Sequence, residues 1–259
     1  MYARPHDGLA FAFALALVGA AGCAQHAPPA SPAPSGSAPA SGEAAVPASP
    51  GTPANVVVAR DSADEGLARS AIAATAPSRP LKLVFDWSLQ DRDAHFAGKG
   101  AARVEPPYRA RLDLFGPRNE GYLTAAVVGE VVRIPPAAQA QASLVPPPAL
   151  LWTVLGVLSP PSDARLTAVR RAGDQTRLEY ARGADRWRFT LVGGKLRQAE
   201  LDRSGTGRQS VALKGEGPLG LPKQAVYRDY AAFRELTLTL DRADEAEPFP
   251  PATWSPGGR

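Results

Sequence analysis

The stretch Leu81-Lys82-Leu83-Val84-Phe85-Asp86-Trp87-Ser88-Leu89-Gln90 decides the fold class. Leu83, Phe85, Trp87 and Leu89 fall on every second position, with Val84, Asp86 and Ser88 between them. Side chains of a strand alternate between faces, so this pattern predicts a strand with one face in a core. Asp91-Arg92-Asp93 follows as a turn, and 94–104 reads as a second strand in which Gly98 and Gly100 predict a bulge or sharp bend. Residues 108–114 alternate again: Tyr108, Ala110, Leu112 and Leu114 point one way, and Arg109, Arg111 and Asp113 the other.

The same rule extends through the chain. Residues 122–128 and 130–135 predict a hairpin around Gly129, and 165–171, 175–181, 185–192 and 195–203 a meander, with Gly193-Gly194 as a two-residue hairpin turn. Residues 208–214 and 234–240 complete the strands. Strands and helices do not alternate, which argues against a parallel α/β sheet. Two helices are predicted, at 61–75 and at 148–158. The second (PALLWTVLGVL) starts with a proline suited to a first turn and is apolar on every face. It is far shorter than the roughly 20 residues of a membrane span, so it must be buried in protein, and the concave side of a curved sheet offers the place. The expected fold is mainly β (α+β): a strongly curved antiparallel sheet forming an incomplete β-barrel with a helical lid. Its apolar face predicts Phe85, Trp87, Tyr108, Leu112, Leu151, Trp152 and Leu155 as lining for a hydrophobic ligand. Alternation equally allows these side chains to fill a dry core.

Composition narrows the chemistry. The 259 residues carry 29 Lys+Arg against 25 Asp+Glu, spread along the chain rather than clustered, which argues against a nucleic-acid partner. The single cysteine, Cys23, excludes intrachain disulfides, Cys-based zinc sites and CxxC chemistry. Of three histidines only His95 lies in the body of the chain, so a multi-histidine metal site has no ligands. Cys23 stands at the end of a basic start and an apolar run, LAFAFALALVGAA at 9–21, too short to span a bilayer. Ala21-Gly22-Cys23 resembles the bacterial lipoprotein signal, although Ala20 stands where that signal usually has Leu. The resemblance implies cleavage before Cys23 and its acylation with diacylglyceryl and palmitate-type chains. With Ala24-Gln25 after it rather than an Asp, it implies an outer-membrane anchor facing the periplasm. Several chains at about 0.8 kcal/mol per buried methylene make such a tether effectively permanent. In 24–54, 23 of 31 residues are Ala, Pro or Ser, a composition that cannot offset its ordering entropy. The expected organisation is a signal peptide at 1–22, the lipidated cysteine and linker at 23–60, and one folded domain at 61–259.

Residues 83–135 also resemble the lipoprotein-sorting carriers of the LolA/LolB type. FDWSLQ at 85–90, the glycine-interrupted second strand and PYRARLDLFGP at 107–117 follow their order and spacing, and Tyr227 to Phe249 with Leu236, Leu238 and Leu240 resembles their ending. The resemblance implies an incomplete barrel with a helical lid whose hollow holds acyl chains. It implies a monomeric, membrane-anchored, non-enzymatic carrier of lipid or of lipoprotein acyl chains, with a part in lipoprotein localisation and no cofactor. The loop GPRNEG at 116–121 lacks the exposed apolar residue that the family's outer-membrane receptor carries between early strands. A structural or interaction module of an envelope complex is the alternative reading.

Other motifs have plainer readings. Gly215-Glu216-Gly217-Pro218-Leu219-Gly220 matches GxGxxG, but Pro218 and Pro222 oppose the helix that a dinucleotide fingerprint requires. Asp91 and Asp93 lack the further oxygen ligands of a calcium loop. His95 has no nearby nucleophile motif and is expected on a solvent-facing position.

Overall fold

The computed structural model describes residues 62–204 and 207–257. Cys23, the signal and the linker lie outside the described residues. In chain order come α1 (Ser62–Thr75), β1 (Leu81–Gln90), β2 (His95–Glu105), β3 (Arg109–Phe115), β4 (Gly121–Val128), β5 (Val131–Arg133), a 3-10 segment (Pro136–Leu144), α2 (Pro148–Val154), β6 (Arg165–Ala172), β7 (Gln175–Arg182), β8 (Asp185–Val192), β9 (Lys195–Arg203), β10 (Gly207–Lys214), β11 (Gln224–Asp229) and β12 (Arg234–Glu245). All pairings are antiparallel. The strand order is β5-β4-β3-β2-β1-β12-β11-β10-β9-β8-β7-β6. One twelve-stranded sheet thus runs from β5 to β6 without closing, and the first and last strands of the domain, β1 and β12, meet in its middle. This is the expected unclosed antiparallel sheet.

The alternation that predicts β1 is realised: Leu83, Phe85, Trp87 and Leu89 are buried and face Leu240, Leu238 and Leu236 on β12 across the register Phe85↔Leu240, Trp87↔Leu238 and Leu89↔Leu236. The glycines of β2 act differently from the expectation. Pairing of β1 with β2 is unbroken, so neither glycine marks a bulge. Gly100 sits directly opposite Phe85 and Gly98 opposite Trp87. A Cβ on Gly100 would lie 2.6 Å from Phe85 Cζ, and one on Gly98 would run into the Phe115 carbonyl. Gly100 is a vacancy into which the Phe85 ring folds, and Gly98 makes room for the Phe115 carbonyl, which accepts from Trp87 Nε1. The register shifts lie elsewhere, at Val84/Phe85 against β12, at Leu114/Phe115 against β4, at Leu166/Ala168 against β7 and at Thr190/Leu191 against β9.

Helix α1 turns Leu67, Ala68, Ala71 and Ile72 toward the core and puts Asp64 and Glu65 in its first turn, where the helix dipole favours them. Helix α2 lies on the apolar face against β9, β10 and β11, with every residue from Ala149 to Val154 buried. It is shorter than the predicted 148–158. Gly156 takes φ +83°, its N–H donates to Thr153 O, and the Val157 N–H donates to Trp152 O at 2.9 Å. Those two bonds close the helix in a Schellman motif at Gly156, leaving Val157 and Leu158 as extended chain. The predicted 130–135 strand shortens to β5, and β11, the 136–144 segment and a 3-10 turn at Pro251–Trp254 are additions to the sequence reading.

The opposite face of β2–β4 carries a polar cluster sealed by the C-terminal segment. Asp113, 5% exposed, accepts from Arg103 Nη1 at 2.7 Å, from Arg111 Nε at 3.0 Å and from Thr124 Oγ1 at 3.0 Å. Arg133 donates to Trp254 O, and the Phe249 N–H to Glu105 Oε1. Trp254 is buried and meets Phe249 edge-on, its centroid 5.7 Å away.

Candidate functional site

The apolar face of the sheet is not packed solid throughout. At the end where β1 begins and β12 finishes, a cleft of about 360 Å³ opens. Its floor is Leu81 and Leu83 of β1, Val104 of β2 and the Leu155-Gly156-Val157 exit from α2. Three connections make its walls: 74–79 between α1 and β1, the Gly193-Gly194 turn between β8 and β9, and 215–222 between β10 and β11. Gly193 and Gly194 both have positive φ, +55° and +77°, as a tight hairpin of the I′ kind requires. Leu219 projects from the third wall, 55% exposed and at φ +56°, a conformation unusual for a branched side chain.

Beyond the cleft lies a small recess of about 30 Å³, lined only by apolar side chains: Leu83, Phe85, Val154, Leu155, Leu221, Pro222, Ala225, Leu238 and Leu240. Leu83, Leu155, Leu221 and Pro222 border both spaces, so the recess adjoins the cleft across these four side chains. The cleft falls within the usual size of small-molecule sites, whereas the recess has room for little more than a water molecule.

The rim is charged. Arg79 pairs with Glu245 at 2.6 Å, and Lys195 with Glu216 at 2.8 Å. The Lys195 hydrogen bond, together with the charges of Lys195 and Arg197, holds the Glu216 carboxyl below its usual range. Arg197 is the extra residue of the bulge on β9: Gln198 pairs with Thr190 and Leu196 with Leu191, leaving Arg197 without an opposite number. It lines the cleft, and its guanidinium reaches the Gly215 carbonyl at 3.4 Å.

The residues predicted as lining divide into two groups. Phe85 and Leu155 border the recess, Leu155 also the cleft. Trp87, Leu112, Leu151 and Trp152 are at most 3% exposed and belong to the filled core. Trp87 Nε1 donates to the Lys99 and Phe115 carbonyls, both at 3.0 Å. Trp152 Nε1 donates to the Gly129 carbonyl at 2.9 Å, and Tyr108 meets its ring edge-on at 5.7 Å. Trp152 also borders a separate hollow of about 150 Å³ with Trp187, Arg182 and Arg203. The cleft and its recess are thus bordered by Leu83, Phe85 and Leu155, whereas Trp87 borders neither and Trp152 only the separate hollow. Its rim was missed in the sequence because Arg79, Lys195, Arg197, Glu216 and Glu245 come from distant segments with no common spacing. His95 is exposed, as read.

No family model matches the chain. No curated protein matches it either. Solved structures do match. A LolA superfamily protein from Nitrosomonas europaea superposes with a TM-score of 0.51 at 10% identity, over 73% of this chain and 97% of that one. A DUF1329 family protein from Desulfovibrio piger superposes with a TM-score of 0.53 at 8% identity, over 74% and 96%. At such identities the likeness is one of fold, and the fold is LolA-like.

Proposed function

We propose that this chain is a lipid-anchored envelope lipoprotein that binds acyl chains non-covalently in the cleft beneath α2 and serves in lipoprotein localisation at the outer membrane. In this reading 1–22 is a signal peptide, Cys23 carries the acyl groups, 23–60 is a tether, and 61–259 is the binding domain, a monomer that works by binding rather than catalysis. The observation that carries it is a cleft with an apolar floor that adjoins a recess lined by apolar residues on the apolar face of an unclosed sheet. An alkyl chain entering past Leu81 and Leu83 would displace Leu155, Leu221 and Pro222 and continue toward Phe85. Each methylene buried there contributes about 0.8 kcal/mol, so ten give about 8 kcal/mol against the cost of moving the wall.

The test is organic-solvent extraction of the whole purified protein followed by mass spectrometry of the extract. Co-purifying lipid that is lost in Leu83→Glu supports the reading; a lipid-free protein that also fails to take up added amphiphile refutes it. Fatty-acid analogue labelling of cells, abolished by Cys23→Ala, tests the anchor separately. The second reading, a non-enzymatic structural or interaction module, draws support from the close packing of Trp87, Leu112 and Trp152. The lipid-free outcome would favour it.

A further inference from the structure

Resting on the reading of the cleft as an acyl-chain site, we infer that its ligand is a single-tailed amphiphile with an anionic, phosphate or carboxylate, headgroup, and that Arg197 is the residue that receives the head. Three observations converge. The cleft floor is apolar while its rim carries Arg79, Lys195 and Arg197 against Glu216 and Glu245, an excess of one positive charge. Each rim carboxylate already has its own cation, Arg79 for Glu245 and Lys195 for Glu216. Among the described residues Arg197 is thus the rim cation that closes no ion pair: it acts on Glu216 only through its charge, at longer range than Lys195, and its one hydrogen bond is the long one to the Gly215 carbonyl.

The bulge supplies the geometry. A bulged residue leaves the regular alternation and its side chain is re-aimed. Regular pairing would turn adjacent residues to opposite faces, yet Leu196 and Arg197 both line the cleft. The site therefore presents an apolar side chain and a guanidinium side by side at its mouth, the arrangement that suits the junction of an alkyl tail and an acid head. A guanidinium offers paired donors to phosphate or carboxylate oxygens, and such charge-assisted bonds are the stronger class. A neutral head gains nothing there, and an ammonium would face the uncompensated charge of Arg197.

The experiment is isothermal titration calorimetry of the whole protein with dodecyl phosphate, dodecanoate, dodecanol and dodecylamine, each below its micelle-forming concentration. Dodecyl phosphate and dodecanoate bind about tenfold or more tighter than dodecanol, and dodecylamine weakest; the two anions distinguish a phosphate source from a fatty-acid source. In Arg197→Gln the anionic preference falls to within about threefold while dodecanol affinity is unchanged, which also shows that the variant is folded. Equal affinities of the anions and dodecanol in the native protein overturn the headgroup inference and leave the acyl-chain reading standing. A preference that survives in Arg197→Gln overturns the assignment to Arg197. Failure of all four to bind overturns the acyl-chain reading and this inference together.

Discussion

Placing a methyl group on Gly100 tests the ring-into-vacancy packing of β1 on β2. The new Cβ lies 2.6 Å from Phe85 Cζ and closer still to Cε2, so the ring must move. Phe85 is 2% exposed and packed against Leu240, and the free space beside it is the recess of about 30 Å³. Overpacking of this kind costs about 1–3 kcal/mol. Replacing glycine in a strand returns about 0.4–1 kcal/mol through the unfolded chain, which leaves a net loss of about 1–2 kcal/mol for Gly100→Ala. For a body of this size each kcal/mol moves Tm by about 2–4 °C, so a fall of about 2–8 °C is expected by calorimetry. The displaced ring also fills the recess, so dodecanoate binds more weakly. Phe85→Leu in the same chain relieves the clash: the double variant is more stable than the two single losses sum to, a coupling that a double-mutant cycle reads directly. A Gly100→Ala protein that melts at the native Tm and binds dodecanoate normally would refute the reasoning.

Further expectations concern the rest of the fold. Asp113→Ala leaves Arg103 and Arg111 facing each other beside the sealed C-terminal segment, with an expected loss of about 2–3 kcal/mol in urea unfolding, reduced from the fully buried case because both arginines reach solvent. Arg103→Ala costs less, about 1 kcal/mol, because Asp113 keeps Arg111 and Thr124. Trp254→Ala removes a buried ring and costs about 3 kcal/mol by the same assay, at the low end for such a change because its Nε1 has no hydrogen-bond partner among the described residues. Burial pushes the Tyr180 phenol up to about 12 and raises Tyr227 as well. Their unfolded counterparts ionise near 10, so the folded state retains protons that the unfolded state gives up, and stability falls as pH rises from about 10 toward 12. Tyrosinate absorbance lags the free-phenol curve in that window, and Tyr180→Phe flattens the stability slope.

The sequence is informative where a signal is local. The alternation of 81–90 places four side chains in the core, and Pro148 with the apolar run behind it marks the start of α2. Signals that depend on a partner strand are not local. Gly98 and Gly100 look like breaks until the register sets them opposite Trp87 and Phe85. Gly156 interrupts an apolar run that periodicity alone reads as continuous helix. The short β11, QAVYRD, follows a loop rich in Gly and Pro and is held as a strand by β10 and β12 on either side. The site was half legible: the apolar face follows from alternation, whereas where that face is hollow depends on how α2 ends, and Leu196 and Arg197 border it together only because β9 gains one residue against β8.

The gap between the outer strands has a mechanical consequence. Neighbouring strands in a sheet are rotated by about 20–25°, with wide natural variation. Twelve strands share eleven junctions, and a change of about 2° at each accumulates to roughly 20° between the two margins. No rung of any ladder breaks in such a flexure, whereas a cylinder built from the same strands could not widen without tearing one. The volume enclosed by the sheet can therefore change by compliance distributed along the whole ribbon rather than by a single hinge.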